Sequence, residues 1–216
     1  MNGELPSRIT NAHALLVEGK DEDNFFKALV KHLSISDVLT IPVGGIRQFP
    51  TKYPAALLLP GFRESVKSYA IIRDADRDAE ATFQSVKGLI GKYRQPCPQT
   101  RGAYAPGPPK VGVYIMPGNA ATGMLENLCM DTVEGHPIIG CVNTFMTGIN
   151  NLVQWIDPAT VDKPPNNPHK ARAKCFLAGN ERDLPSIGVA AQAGVWNFDH
   201  ESMRSLREFI SQLVTP

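Results

Sequence analysis

The feature that most constrains this chain is a repeated pairing of a short apolar run with an amphipathic helical pattern. "AHALLV" (residues 12–17) is bounded by polar residues, and the "DEDNFFKALVKHL" that follows sets Phe25, Phe26, Leu29, Val30 and Leu33 at helical spacing. The pattern recurs. "DVLTIPV" reads as a strand ending at Gly44-Gly45, "IRQFPTKYPAALLLPGF" as a loop and helix, and "SYAIIRD" as a further strand. "AEATFQSVKGLIGKY" then places Phe83, Val86, Leu89 and Ile90 on one helical face. Alternation of this kind predicts an α/β fold with a mainly parallel sheet flanked by helices on both sides.

A proline- and glycine-rich loop, Gln95 to Lys110, leads into a fourth strand, "VGVYIMP". Loops of such length are usually functional or mobile. Arg101, Tyr104 and Lys110 are thus candidates to touch a substrate, or members of a solvated excursion. After Pro117 the segments "GMLENLCMDTV", "IIGCVNTFMTGINNLVQWI", "NPHKARAKCFLAG" and "HESMRSLREFISQL" all carry helical periodicity, with a break at "DPATVDKPPNNP". The expectation is an α/β core over residues 10–130 and a mostly helical C-terminal third, 131–216, packed on that core.

Composition narrows the function classes. In 216 residues, 43% hydrophobic and 20% charged content suits one sizeable soluble core, and a net charge of +1 gives no bulk attraction for a polyanion. Any nucleic-acid contact must come from a local patch. Cys97, Cys129, Cys141 and Cys175 form no CxxC pair and share no ligand spacing with the histidines, which argues against zinc and a disulfide framework. No apolar stretch approaches the roughly 20 residues needed to cross a bilayer, and the N-terminus does not read as a signal peptide. The expected setting is the reducing cytoplasm, without a membrane partner; a protein partner is unknown.

The acidic residues take their meaning from the sheet. In a parallel sheet all strand carboxyl ends lie on one edge, where ligands bind. Glu18 follows the first strand, Asp74 closes the third, and Asp76 stands two residues on, a spacing that in an extended segment returns to the same side. Two like charges about 4 Å apart repel by roughly 4 kcal/mol at an effective dielectric near 20, so a site gathering three carboxylates must bind a cation or hold a proton. Oxygen ligands without His or Cys favour Mg²⁺ or Mn²⁺. The competing reading is a helix start: Asp74, Asp76, Asp78 and Glu80 precede a helix whose free N–H groups and dipole favour acids. Glu18 at another strand end tips the balance, with Asp78 and Glu80 left to serve the helix. Glu22 either points back at the crevice from the first helical turn or joins Asp21 and Asp23 on a solvated face.

A strand ending in "VEGKDE", a helix, a second strand, and a strand ending in "DAD" resemble the Toprim domain of topoisomerases, primases and several nucleases. "MPGNAATGMLENLCMD", with Gly123 and Leu125-Glu126, looks like small stand-alone Toprim-like proteins of uncharacterised function and the Toprim half of OLD-family nucleases. The resemblance implies a Toprim-like sheet, with Glu18 as acid/base or metal ligand and Asp74 and Asp76 as the metal-binding DxD. It also implies Glu22 as the second glutamate of an ExxxE pair, Glu126 as a later acidic ligand, and a helical lysine, Lys174 or Lys170, assisting catalysis. The chain lacks GxxxxGK[ST] and a separate tyrosine-bearing domain, which argues against ATPase, topoisomerase and primase activity.

The leading expectation is Mg²⁺- or Mn²⁺-dependent phosphodiester hydrolysis of a nucleic acid. One ion would be held by Asp74, Asp76 and Glu18, and a second, about 3.5 to 4 Å away, by Glu18, Glu22 or Glu126. Candidate phosphate-backbone contacts are Lys20, Arg47, Arg73, Arg77 and the run Lys163 to Lys174. The alternatives are a non-catalytic metal- and phosphate-binding module and, ranked last, a phosphatase with Asp74 as nucleophile. Gly44-Gly45 read as a tight turn, Trp155 and Trp196 as packing residues, and His136, His169 and His200 as surface residues.

Overall fold

The computed structural model describes residues 5–118, 120–153 and 165–215, without the side chains of Leu152 and Val153; Trp155 and Lys163 lie outside the described residues. Four apolar runs form the parallel strands β1 (His13–Val17), β2 (Val38–Pro42), β3 (Ser68–Asp74) and β5 (Lys110–Met116). A three-residue strand, β4 (Ala103–Ala105), pairs antiparallel with β5 and completes the order β2-β1-β3-β5-β4. This mixed α/β architecture, mostly parallel with helices concentrated in the C-terminal part, is the expected one.

Period-two alternation along the strands sorts the core into two layers. Leu16, Tyr69, Ile71, Val113 and Ile115 face α2 (Phe49–Leu57), α3 (Phe62–Ser65) and α4 (Ala79–Lys92). Leu15, Val17, Ala70, Ile72, Tyr114 and Met116 face the other way, toward α1 (Lys20–His32). That second layer is completed by α5 (Leu125–Asp131), α6 (Ile138–Val153), α7 (Pro168–Ala178), α8 (Ile187–Gln192) and α9 (Arg204–Leu213). Helices beyond residue 131 thus share one apolar cluster with the sheet.

The long loop holds the C-terminus. Tyr104 stacks on Phe209 with ring centroids 4.6 Å apart and donates its hydroxyl hydrogen to the Phe209 carbonyl, while Lys110 donates to the carbonyls of Gln212 and Thr215. Arg101 donates to the Ala120 carbonyl. These three residues, candidates for substrate contact by sequence, are occupied in tying the fold together.

Two further contacts position the first turn of α1. A Cβ at Gly188 would stand 2.5 Å from the Asp21 carbonyl oxygen, so only glycine lets α8 lie this close. Asp23 is buried at 1% exposure and accepts from Lys20, Lys27 and the Thr40 hydroxyl, joining α1 to β2. It does not belong to the solvated face that its charged neighbours suggested. A buried carboxylate is tolerated here because each of its oxygens is hydrogen-bonded.

Candidate functional site

The carboxyl ends of β1 and β3 meet the first turns of α1 and α5, and four carboxylates gather there. Glu18 directly follows β1. Leu16 pairs with Ile71 in register, so two residues on Glu18 comes opposite Arg73. Their side chains bond: Arg73 Nε donates to Glu18 Oε1 at 2.5 Å, and the Asp74 N–H donates to the same oxygen at 3.3 Å. Arg73 is 6% exposed, and its guanidinium lies 5.1 Å from the centroid of Phe49. It therefore serves as the counter-ion of Glu18 and not as an exposed contact to a phosphate backbone.

Asp74 belongs to the opposite face of the sheet. It is 5% exposed, and Oδ1 accepts from the Leu125 N–H at 3.1 Å, which fastens the start of α5 to the end of β3. Burial pushes its carboxyl well above the usual carboxylate range, and the charges of Glu18, Glu22 and Glu126 push the same way. Glu126, 7% exposed in the first turn of α5, is raised by burial, with Lys170 opposing. Glu22 is also raised by burial, helped by Glu18 and Glu126. It folds back over Gly19, where a Cβ would come within 3.0 Å of Glu22 Oε2. Of the two readings open for Glu22, the structure takes the one that faces the crevice.

Of the two candidate lysines, Lys170 approaches this cluster. Its Nζ stands 3.8 Å from Glu126 Oε1. Burial draws its ammonium down, yet Glu126, Asp74, Glu22 and Glu18 together outweigh that and hold it above its ordinary value. Lys174, one turn further along α7, is exposed and lines a separate depression with Leu177, Asn180 and Arg182, so the structure does not bring it to the carboxylates.

Asp76 also departs from the expected placement. β3 ends at Asp74, and Asp76 takes a left-handed conformation with φ of 52°, exchanging two backbone hydrogen bonds with Gly123. The i, i+2 rule for an extended strand no longer applies there. Its side chain is exposed, on the outer wall of the crevice with Arg77 and His169. Asp78 caps α4 by accepting from the Ala81 N–H, and Glu80 accepts from Gln84.

Among the described residues, no three His, Cys, Asp or Glu side chains converge on one metal-coordinating point. The donor atoms are all carboxylate oxygens, the type that hard cations take. Four carboxylates face two cationic side chains, Arg73 and Lys170, which leaves two negative charges to be met by protons or by one divalent ion.

The other expectations divide. Lys20 is engaged by Asp23, whereas Arg47 and Arg77 are exposed. Gly45 donates its N–H to the Glu18 carbonyl at 2.7 Å, a turn that fixes the crevice edge. Trp196 is buried and donates to the Ile187 carbonyl. His136 and His200 cap or pack locally, but His169 joins the crevice through Asn127, a connection no spacing rule reveals. Among the described residues, no helix is long and apolar enough to cross a membrane.

Comparison with known proteins sets these features in a family. No curated protein matches the chain. Among solved structures it is similar to the C-terminal region of the Burkholderia pseudomallei OLD protein, with 14% identity and a TM-score of 0.45 over 95% of this chain and 99% of that one. The family model described as "Protein of unknown function (DUF3226)" matches residues 12–215, and the chain belongs to that family.

Proposed function

We propose that this protein is a Toprim-like, Mg²⁺- or Mn²⁺-dependent nuclease acting in the cytoplasm, with Glu18, Glu22, Asp74 and Glu126 as the metal-holding set. The observation that carries this reading is the charge deficit at the sheet edge. Among the described residues, Arg73 and Lys170 are the cations in ion pairs with any of Glu18, Glu22, Asp74 and Glu126, and burial with mutual repulsion raises Asp74, Glu22 and Glu126. A divalent ion held by these carboxylates would supply two positive charges. Bound there, it would polarise the scissile phosphate and lower the pKa of an attacking water.

The chain's own residues take the remaining roles. Arg73 fixes the Glu18 carboxylate at the strand end, and the Leu125 N–H fixes that of Asp74. Lys170, partly drawn into the carboxylate field, stabilises charge developing on phosphoryl oxygens. Burial and mutual repulsion raise Asp74 and Glu126, so any proton bound there would compete with the cation. Free Cys97, Cys129, Cys141 and Cys175 suit a reducing compartment. The test is cleavage of end-labelled DNA and RNA with Mg²⁺ or Mn²⁺. Wild-type cleavage that vanishes in Asp74→Ala and Glu126→Ala supports the reading; no cleavage of either polymer by wild type rejects it.

One observation favours a second reading, a phosphate-binding module without turnover. Glu18 Oε1 is taken by both Arg73 and the Asp74 N–H, which removes one oxygen from ligand or proton-transfer duty. Metal-dependent nucleotide binding by calorimetry with no cleavage product would select it. A phosphatase-type nucleophile at Asp74 is disfavoured, because the carboxylate is buried and one oxygen is bonded to the Leu125 N–H.

A further inference from the structure

Beside the carboxylates, the turn after β3 and the starts of α5 and α7 border an open cavity of about 600 Å³, lined by Asp76, Arg77, Met124, Asn166, Asn167 and His169 among others. Its α5 and α7 walls are joined by two side-chain bonds. Asn167 Nδ2 donates to Met124 Sδ at 3.3 Å, and Asn127 bonds to His169 at 2.8 Å.

The second bond fixes a tautomer. Asn127 Oδ1 accepts from the Met124 N–H at 3.1 Å, so the amide cannot be flipped without losing that bond, and Nδ2 is the atom offered to His169 Nδ1. An amide nitrogen only donates. Nδ1 must accept, and in the neutral ring the hydrogen sits on Nε2. That Nε2–H makes no hydrogen bond among the described residues. Arg77, on the same cavity, makes no ion pair among them either.

Among the described residues, the cavity thus presents two donors left without a partner, from different elements, one a guanidinium and one a ring N–H held by its neighbour. Asp76 stands on the same wall. Two donors from different elements, one charged and one neutral, match the anionic oxygens of a phosphodiester. We propose that this cavity seats one phosphodiester of a nucleic-acid strand, bound by Arg77 and His169 Nε2–H, with Asn127 as the positioning residue that holds His169 in that tautomer. The choice of nucleic acid as the source of the phosphodiester rests on the nuclease reading; the seat itself rests on the cavity and the hydrogen-bond network.

The test is ring ¹⁵N–¹H correlation of the histidines in the metal-free full chain, titrated with a dinucleotide and, separately, with an acidic peptide. The expected result is the Nε2–H tautomer at His169, a mixture of tautomers in Asn127→Ala, and a His169 shift on adding dinucleotide. Arg77→Ala should weaken that titration about tenfold, the effect of one lost charge-assisted hydrogen bond. An Nδ1–H tautomer in the wild type, or an unmoved His169 at saturating dinucleotide, overturns the seat. Equal affinity for the acidic peptide overturns its assignment to a phosphodiester. A protein that seats dinucleotide but cleaves nothing with Mn²⁺ keeps the seat and loses the nuclease reading; one that cleaves while His169 ignores dinucleotide does the reverse.

Discussion

Arg73 and Glu18 sit on adjacent parallel strand ends and share a hydrogen-bonded ion pair of which the guanidinium side is 8% and the carboxylate side 15% exposed. The pair neutralises one of four crowded carboxylates, and it does so from the face opposite Asp74. Removing a buried partner leaves the other charge uncompensated at a cost of about 3–5 kcal/mol.

Arg73→Ala should therefore lose stability of that order in metal-free buffer at neutral pH. Part of the loss should return on adding Mn²⁺, because the ion replaces the missing positive charge. Urea denaturation with and without Mn²⁺ measures both effects. An equal loss in the two buffers would place Arg73 in packing against Phe49 alone.

Asp74→Asn keeps an oxygen for the Leu125 N–H while removing a buried charge. A carboxyl raised in the folded state binds its proton more tightly there than in the unfolded chain. Its contribution to stability is present below the unfolded value near pH 4 and lost as pH rises through the folded value. Without metal, Asp74→Asn should thus melt higher than wild type at pH 7 to 8 and show a smaller Tm gain with Mg²⁺. Differential scanning fluorimetry across pH, with and without Mg²⁺, tests the sign; a lower Tm without metal would contradict it.

How far the sequence discloses this site depends on which geometry each residue obeys. Glu126 entered through the family resemblance and Glu22 stood between two readings, whereas Glu18 and Asp74 were legible because each stands at a strand end, where register fixes direction. Asp76 was not, because the extended geometry that would return it to the crevice stops at Asp74. β4 escaped notice since three residues within a proline-rich loop carry no readable alternation. Arg73 and Lys170 depend on contacts across 55 and 44 positions of chain, which local patterns do not encode.

Lys170 and Lys174 lie one turn apart on α7, yet only Lys170 meets the carboxylates. If the nuclease reading holds, Lys170→Ala should reduce the cleavage rate by about 10²- to 10³-fold, the usual effect of losing one preorganised charge stabiliser. Lys174→Ala should cleave within about twofold of wild type, as expected of an exposed side chain away from the crevice. Single-turnover rates at saturating Mn²⁺ compare the two, and equal losses would remove the assignment of Lys170.

Asp23 reverses the sign seen at Asp74 although it lies one residue from Glu22. Burial alone would raise it, but hydrogen bonds from Lys20, Thr40 and Lys27 outweigh burial and hold it below its ordinary value. A depressed acid contributes stability that is present above its unfolded value near pH 4 and lost as pH falls through the folded one. Asp23 therefore opposes acidification while Asp74, Glu22 and Glu126 welcome it. Metal-free protein should be most stable on the acid side of neutrality, and Mg²⁺ should move the maximum upward by removing the penalty of the ionised cluster. Asp23→Ala frees two exposed lysines harmlessly but strands the buried Thr40 hydroxyl, costing about 1–3 kcal/mol. Because the contribution of Asp23 fades only as pH falls below its unfolded value near 4, that cost should be larger at pH 7 than at a pH below the folded value. Urea midpoints of both proteins at the two pH values decide it, and a cost independent of pH would mean that Asp23 keeps its ordinary acidity in the fold.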